Sequence, residues 1–553
     1  MWPLKLIITL ALSLSESGAS STVNPRQYPT TPALIDATLD DLTSGLQGGL
    51  FTSVDLVNAY TARIAEVNST LRMVTYLNPE ALALAADADA LRANGTVLGP
   101  LHGIPILIKN NIATDDRMPN TAGSYALVGA EVPADSTVAA KLRKAGAIIL
   151  GKSNLSQWAN WRSANTSDGW SADGGQTEGA YYPGQNPSGS SSGSAVSTAL
   201  GLAFAALGTE TAGSLISPAE VNNVVSIKPT VGLTSRYLVV PISQHQDTVG
   251  PMARTVKDAA HLLSAIAGKD DNDNYTSAIP FDTIPDYAAA CSLSALSGKR
   301  LGIPRNLFDI TGHEEQYRAV VSAFNTSLDV FRAAGAEIVD DLTLEGYTPL
   351  LTSGGFIRVL QADFLADIGE YFGKLSKNPN NITTLPELQN FTQASPLEDW
   401  PERDTLIWQG SLDLGLDNNS PEFWSNYTAN LYYGGLLGIT GALTNNSLDA
   451  LIVPSAFSTT MAAVIGSPIV TVPLGKYPDN QTVFLNSFGN LNQTAPNVPF
   501  GIAFLGEHFS EEKLVGLAYD FEQRTMIRKT IKPYIEPKTE LADVIKKRDL
   551  ELL

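Results

Sequence analysis

Residues 136–154 read STVAAKLRKAGAIILGKSN. The first half is a helix, and AIIL behind Gly146 is a strand. Such helix-to-strand alternation marks α/β architecture. Working outward, LHGIPILIKNNIA (101–113) holds a continuous apolar run, the pattern of a strand buried on both faces. Upstream, FTSVDLVNAYTARIAEVN (51–68) is an amphipathic helix with Leu56, Tyr60 and Ile64 at helical spacing. Thr52 is its predicted N-cap, Asp55 completes a capping box and Phe51 staples the entry. A second helix, PEALALAADADALRANG (79–95), stops at Asn94-Gly95.

Residues 160–193 are polar and rich in Gly, Ser, Asn and Pro. The pattern returns with a small-residue helix from Ala195 to about Leu200, a strand in LAFAALGT (202–209) and the turn ETAGS. NNVVSIKPT (222–230) is a further strand, and TVKDAAHLLSAIAG (255–268) a helix ending in glycine. The middle, about 270–445, carries many prolines and asparagines and reads as surface helices and insertions. Core character recovers in ALIVPS, SPIVTVPLG and VPFGIAFLG, followed by the helix SEEKLVGLAYDFEQRT (510–525). Strands near both ends of the chain point to one interleaved sheet.

The chain has 553 residues and a formal net charge of −20. So acidic a surface argues against nucleic acid and anionic membranes as partners. The start, MWPLKLIITLALSLSESGAS, has the layout of a signal peptide over residues 1–20. Its apolar run is too short to span a bilayer. With thirteen N-x-S/T sequons, the leader predicts a secreted, N-glycosylated protein. Cys291 is the single cysteine, so no intramolecular disulfide forms, and its context lacks an adjacent base or glycine turn.

The stretch NPSGSSSGSAVS (186–197) contains a literal G-x-S-x-G centred on Ser191. A nucleophile elbow needs a strand directly before the motif, and GAYYPGQNPS supplies none. His245, His261, His313 and His508 lie downstream, but none is set as an evident triad partner. A phosphate cradle is equally unsupported, because G-x-x-x-x-G-K-[ST] is absent. What lifts the run above a plain loop is its company: a second glycine-serine turn, GTETAGSL, and Lys109 at the end of the apolar strand. Burial disfavours an ammonium and lowers its pKa. Read alone, Lys109 is either a neutral general base or a lysine that snorkels or meets a carboxylate.

Together these blocks resemble the amidase signature family. The match runs from GPLHGIPILIKNNI through GKSNLSQWAN and NPSGSSSGSAVSTALGLAFAALGTETAGSLISPA to SIKPTVGLTSR and QDTVGPMART. It is tight over about 95–260 and loose over about 30–530. The wording is most similar to bacterial peptide amidases, which remove the C-terminal amide of peptides. The resemblance implies a single large α/β domain over about 30–540, with a mixed twisted sheet covered by helices on both sides. The variable region, about 270–445, would shape the substrate site.

Aligned through LGTE, the family's nucleophile falls on Ser214, its bridging serine on Ser190 beside a cis peptide bond, and its base on Lys109. The oxyanion donors would be backbone N–H groups of Thr211, Ala212, Gly213 and Ser214. The implied reaction is hydrolysis of a small-molecule or peptide amide with no metal or cofactor. A biosynthetic amidase or acyltransferase, or a silent glycoprotein on the same scaffold, are the alternatives. Three positions depart from the family pattern: Ala212 for Gly or Asp, Glu210 with Ile216 for an acid–arginine pair, and Asn110 for an acidic residue after the base. The sequon at Asn154 lies close to the site and is expected to stay bare.

Overall fold

The computed structural model describes residues 31–551; the signal-peptide segment lies outside the described residues. Eleven strands form one sheet. In chain order they are β1 Val74–Leu77, β2 Pro105–Lys109, β3 Ile148–Ser153 and β4 Ala205–Glu210. Next come β5 Val225–Lys228, β6 Thr248–Ala253, β7 Arg300–Pro304 and β8 Glu337–Leu342. The last three are β9 Ala450–Pro454, β10 Ile469–Lys476 and β11 Pro499–Leu505. Side by side the order is β1-β3-β2-β4-β6-β5-β10-β11-β9-β7-β8. The β3–β2–β4 and β9–β7–β8 neighbours run parallel, and the other pairs antiparallel. The sheet is therefore mixed, as the resemblance implies, and helices flank it.

The helix of residues 137–144 leads into β3, and β2 lies between β3 and β4 with every residue buried. An all-apolar run is what such a position demands, because neither face meets water. Thr52 caps the helix Ser53–Leu71 in a full capping box with Asp55, and Phe51 is buried beside it. Two predicted boundaries moved. The small-residue helix begins earlier, at Ser192, and the helix from Val256 ends at Ile266.

The region 270–445 is more than an insertion, for it contributes β7 and β8 and the helix Glu314–Ala333 that packs against β8, β9 and β10. Neither strand carries a long apolar run. β7 spends Gly302 on close packing: a Cβ there would meet Leu342 at 2.7 Å and Leu451 at 2.9 Å. β8 is the outer strand, half exposed and acidic, as edges tend to be. The central strand β6 also escapes pattern reading, because Gly250 and Pro251 break it in a position where proline is rare.

Gly250 explains itself in three dimensions. It pairs across the sheet with Gly208 of β4, and Leu215 lies over both. A Cβ on either glycine would reach a Leu215 methyl at 2.7 Å, and on Gly250 it would also collide with the carbonyl of Ile227. The paired glycines thus let the chain after β4 settle onto the sheet. Gly250→Ala is expected to lose roughly 1–3 kcal/mol through overpacking that the backbone cannot relieve, measured by denaturant unfolding.

Candidate active site

Lys109 closes β2 and is fully buried. Its Nζ lies 2.7 Å from Ser190 Oγ, 2.8 Å from Thr209 Oγ1 and 3.1 Å from the Thr209 carbonyl. Burial pulls the ammonium down to about 7, while the carboxylates of Asp247 and Glu210 pull the other way. In the neutral form the amine has two hydrogens and one lone pair. Thr209 offers two acceptors, so the hydrogens go there and the lone pair faces Ser190. Asn111 Nδ2 donates to the same Thr209 hydroxyl at 3.0 Å and holds it in place. Thr209 and Asn111 were not among the predicted site residues; their signal lay in the GTE and KNN triplets beside residues that were.

Ser190 is buried, and the Gly189–Ser190 peptide is cis. The Ser190 carbonyl accepts from Ser156 N at 3.1 Å, which ties it to the loop after β3. Ser191 turns inward instead, its hydroxyl donating to the Thr209 carbonyl at 3.1 Å. Among the described residues no strand leads directly into it, so it sits on no elbow. His245 pairs with Asp363 at 2.9 Å rather than with any of these serines.

Ser214 ends the turn Thr211–Ser214 between β4 and the helix Ile216–Val221. Ser191 N donates to its carbonyl at 3.2 Å, so the two glycine-serine segments touch. Among the described residues Ser214 Oγ has no hydrogen-bond partner, and Ala212, Gly213 and Ser214 keep their backbone N–H groups unused. Gly213, with φ of 87°, makes the tight turn that leaves those donors aligned.

The departures from the family pattern find local explanations. Glu210 is buried, and its Oε2 accepts from Leu215 N at 2.7 Å and Ile216 N at 3.0 Å. One of its oxygens is thus held by the start of the following helix, where Ile216 stands in place of an arginine, while Oε1 has no hydrogen-bond partner among the described residues. Asn110 is engaged with Thr121 at 2.8 Å. Asn154 is buried, donating to Thr177 Oγ1 and the Gly175 carbonyl at 3.0 Å and accepting from Ser171 at 2.7 Å. Cys291 stands apart on a loop, its thiol pushed up to about 12 by burial.

The comparisons with known proteins agree with this architecture. The family model described as Amidase matches residues 55–515. A protein of Arthroderma benhamiae named as an amidase is 52% identical over 93% of this chain and 90% of its own length. One of Arabidopsis thaliana, also named as an amidase, is 36% identical over 95% and 96%. The solved peptide amidase of Stenotrophomonas maltophilia superposes with a TM-score of 0.80 at 36% identity, covering 91% of this chain and 99% of that one. This chain belongs to the amidase family, and its activity is the hydrolysis of amides. Among the described residues no helix is long and apolar enough to cross a membrane.

The Lys109 environment has a thermodynamic consequence. An unfolded lysine keeps its proton to about pH 10.4, whereas folded Lys109 releases it near 7. Between those values unfolding takes up a proton, so stability rises with pH. Lys109→Met is expected to flatten that rise by up to about 1.4 kcal/mol per pH unit between about pH 8 and pH 9. Denaturant unfolding across that interval measures it.

Proposed function

We propose that the protein is a secreted serine amidase that hydrolyses a carboxylic amide to acid and ammonia through an acyl-enzyme on Ser214. The observation that carries this reading is the buried Lys109 amine, 2.7 Å from Ser190 Oγ, beside the turn that holds Ser214. A serine hydroxyl is a poor nucleophile until a base takes its proton. Lys109, about half neutral at pH 7 and more so above it, takes the Ser190 proton while Ser190 takes that of Ser214, because one hydroxyl donates once and accepts twice. For this relay the Ser214 hydroxyl rotates toward Ser190 when substrate arrives.

Ser214 attacks the amide carbonyl, and the negative oxygen is received by the N–H groups of the Thr211–Ser214 turn. The proton returns through Ser190 to the departing nitrogen, which leaves as ammonia. Water then attacks the acyl-enzyme along the same path. Peptide C-terminal amides are the proposed substrate class, supported by the likeness to the Stenotrophomonas peptide amidase.

Ammonia release from peptide, aromatic and aliphatic amides tests the reading. Ser214→Ala and Lys109→Ala are each expected to lower kcat by about 10³-fold or more. The wild-type kcat/KM is expected to climb with pH through about 7, as the Lys109 amine loses its proton. Wild-type rates in Lys109→Ala would sink the mechanism.

Secretion is tested separately, by enzymatic deglycosylation and peptide mass mapping of the exported protein. Glycans are expected on exposed sequons such as Asn94, Asn274, Asn325 and Asn480. Asn154 and Asn418 are buried, and their amides are spent inside the fold, so both are expected bare. A glycan on either would contradict that burial.

A further inference from the structure

Asp247 stands outside the Lys109–Ser190–Ser214 chain, at the end of the turn that enters β6. Its Oδ1 accepts from the Thr211 hydroxyl at 2.6 Å, and its Oδ2 from Ile242 N at 2.7 Å and Ser243 N at 3.0 Å. The carboxylate therefore clamps two turns together, and one of them is the turn that carries Ser214. All three donors are neutral. They satisfy its oxygens while leaving a negative charge beside Lys109. Of the charges acting on that amine, Asp247 pulls upward most strongly, ahead of Glu210.

The surroundings on each side of Asp247 are specific. On the inner side lie Lys109 and Glu210. On the outer side it borders a cleft of about 350 Å³ that also includes Arg236, Asp367, Glu370 and Lys374. Arg236 is committed to Asp273 at 2.7 Å. On the helix Gly355–Gly373, Asp363 pairs with His245, and burial pushes Asp367 up to about 8. Asp367 is thus mostly protonated at neutral pH. Asp247 itself is raised by burial only to about 6, so it is ionised where Lys109 titrates.

We propose that Asp247 is a positioning residue for amide hydrolysis, holding the Ser214 turn through the Thr211 hydroxyl and setting a negative charge close to Lys109. The inference rests on Ser214 and Lys109 acting as nucleophile and base. The two effects can be separated. The hydrogen bond aligns the turn whose N–H groups receive the oxyanion, so its loss falls on kcat. The charge acts through space on the amine, so its loss moves the pH at which the amine becomes neutral.

The experiment is the pH dependence of kcat and KM for wild type, Asp247→Asn, Thr211→Val and Ser214→Ala. Asp247→Asn is expected to lower kcat by about 10²-fold, the size of effect that a misplaced catalytic group causes, with KM little changed. Its ascending limb should move to lower pH by about half a unit or more, since a nearby anion no longer favours the ammonium. Thr211→Val breaks the bond to the turn and keeps the carboxylate, though it removes a donor that favours its charge, so kcat falls while the limb moves less than in Asp247→Asn. An unmoved limb, or an undiminished kcat, in Asp247→Asn overturns the proposal while Ser214→Ala remains inactive. Activity surviving in Ser214→Ala would instead remove the mechanism beneath it. Should Asp247→Asn fail to fold, Asp247→Glu carries the test. The retained charge should leave the limb in place while the displaced turn lowers kcat, and a moved limb overturns the proposal.

Discussion

Everything at the site follows from one costly placement, a lysine amine at the buried end of β2. An ammonium there would be deprived of water and is destabilised relative to the amine. The fold tolerates it by bringing three acceptors within 3.1 Å, two of them from Thr209 alone. Those acceptors lie on β4 and on the cis-linked Ser190, and so Lys109, Ser190 and the root of the Ser214 turn are set by the same few bonds. The apolar strand thus places the buried amine as well as part of the core.

The second organising feature is the docking of the Ser214 turn. Paired glycines in β4 and β6 leave space for Leu215, and Glu210 neutralises two helix-start donors just beyond Ser214. The Asp247 carboxylate ties the same turn to its neighbour from the other side. Ser214 is consequently held by its flanks, while its own hydroxyl and the adjacent N–H groups have no partner among the described residues. In this chain Leu215 N and Ile216 N are the partners of Glu210 Oε2, and no arginine takes part.

Strands with strong local pattern were readable before the fold was seen. β2, β3, β9, β10 and β11 announce themselves as apolar runs bounded by turn residues, and the capping box at Thr52 marks a helix start without ambiguity. β6, β7 and β8 do not, for three different reasons: a proline and a glycine in a central strand, a glycine hidden under leucines, and an acidic edge. In each case tertiary packing overrides local propensity. The site divides in the same way. Lys109, Ser190 and Ser214 stand in recognisable motifs, whereas Thr209, Asn111 and Asp247 act through contacts between segments distant in sequence.

The sequence by itself determined the family, the α/β class and the residue types that the chemistry needs, because these depend on short-range pattern and on motif wording. It left open whether Lys109 reaches a serine or merely a carboxylate, since an isolated strand does not reveal what faces its last residue. Only the tertiary structure decided that, by setting β4 beside β2 and folding the Gly189–Ser190 turn over the amine. The physical reason is burial. A lysine's basicity is a property of its surroundings, and those surroundings come from residues roughly a hundred positions along the chain.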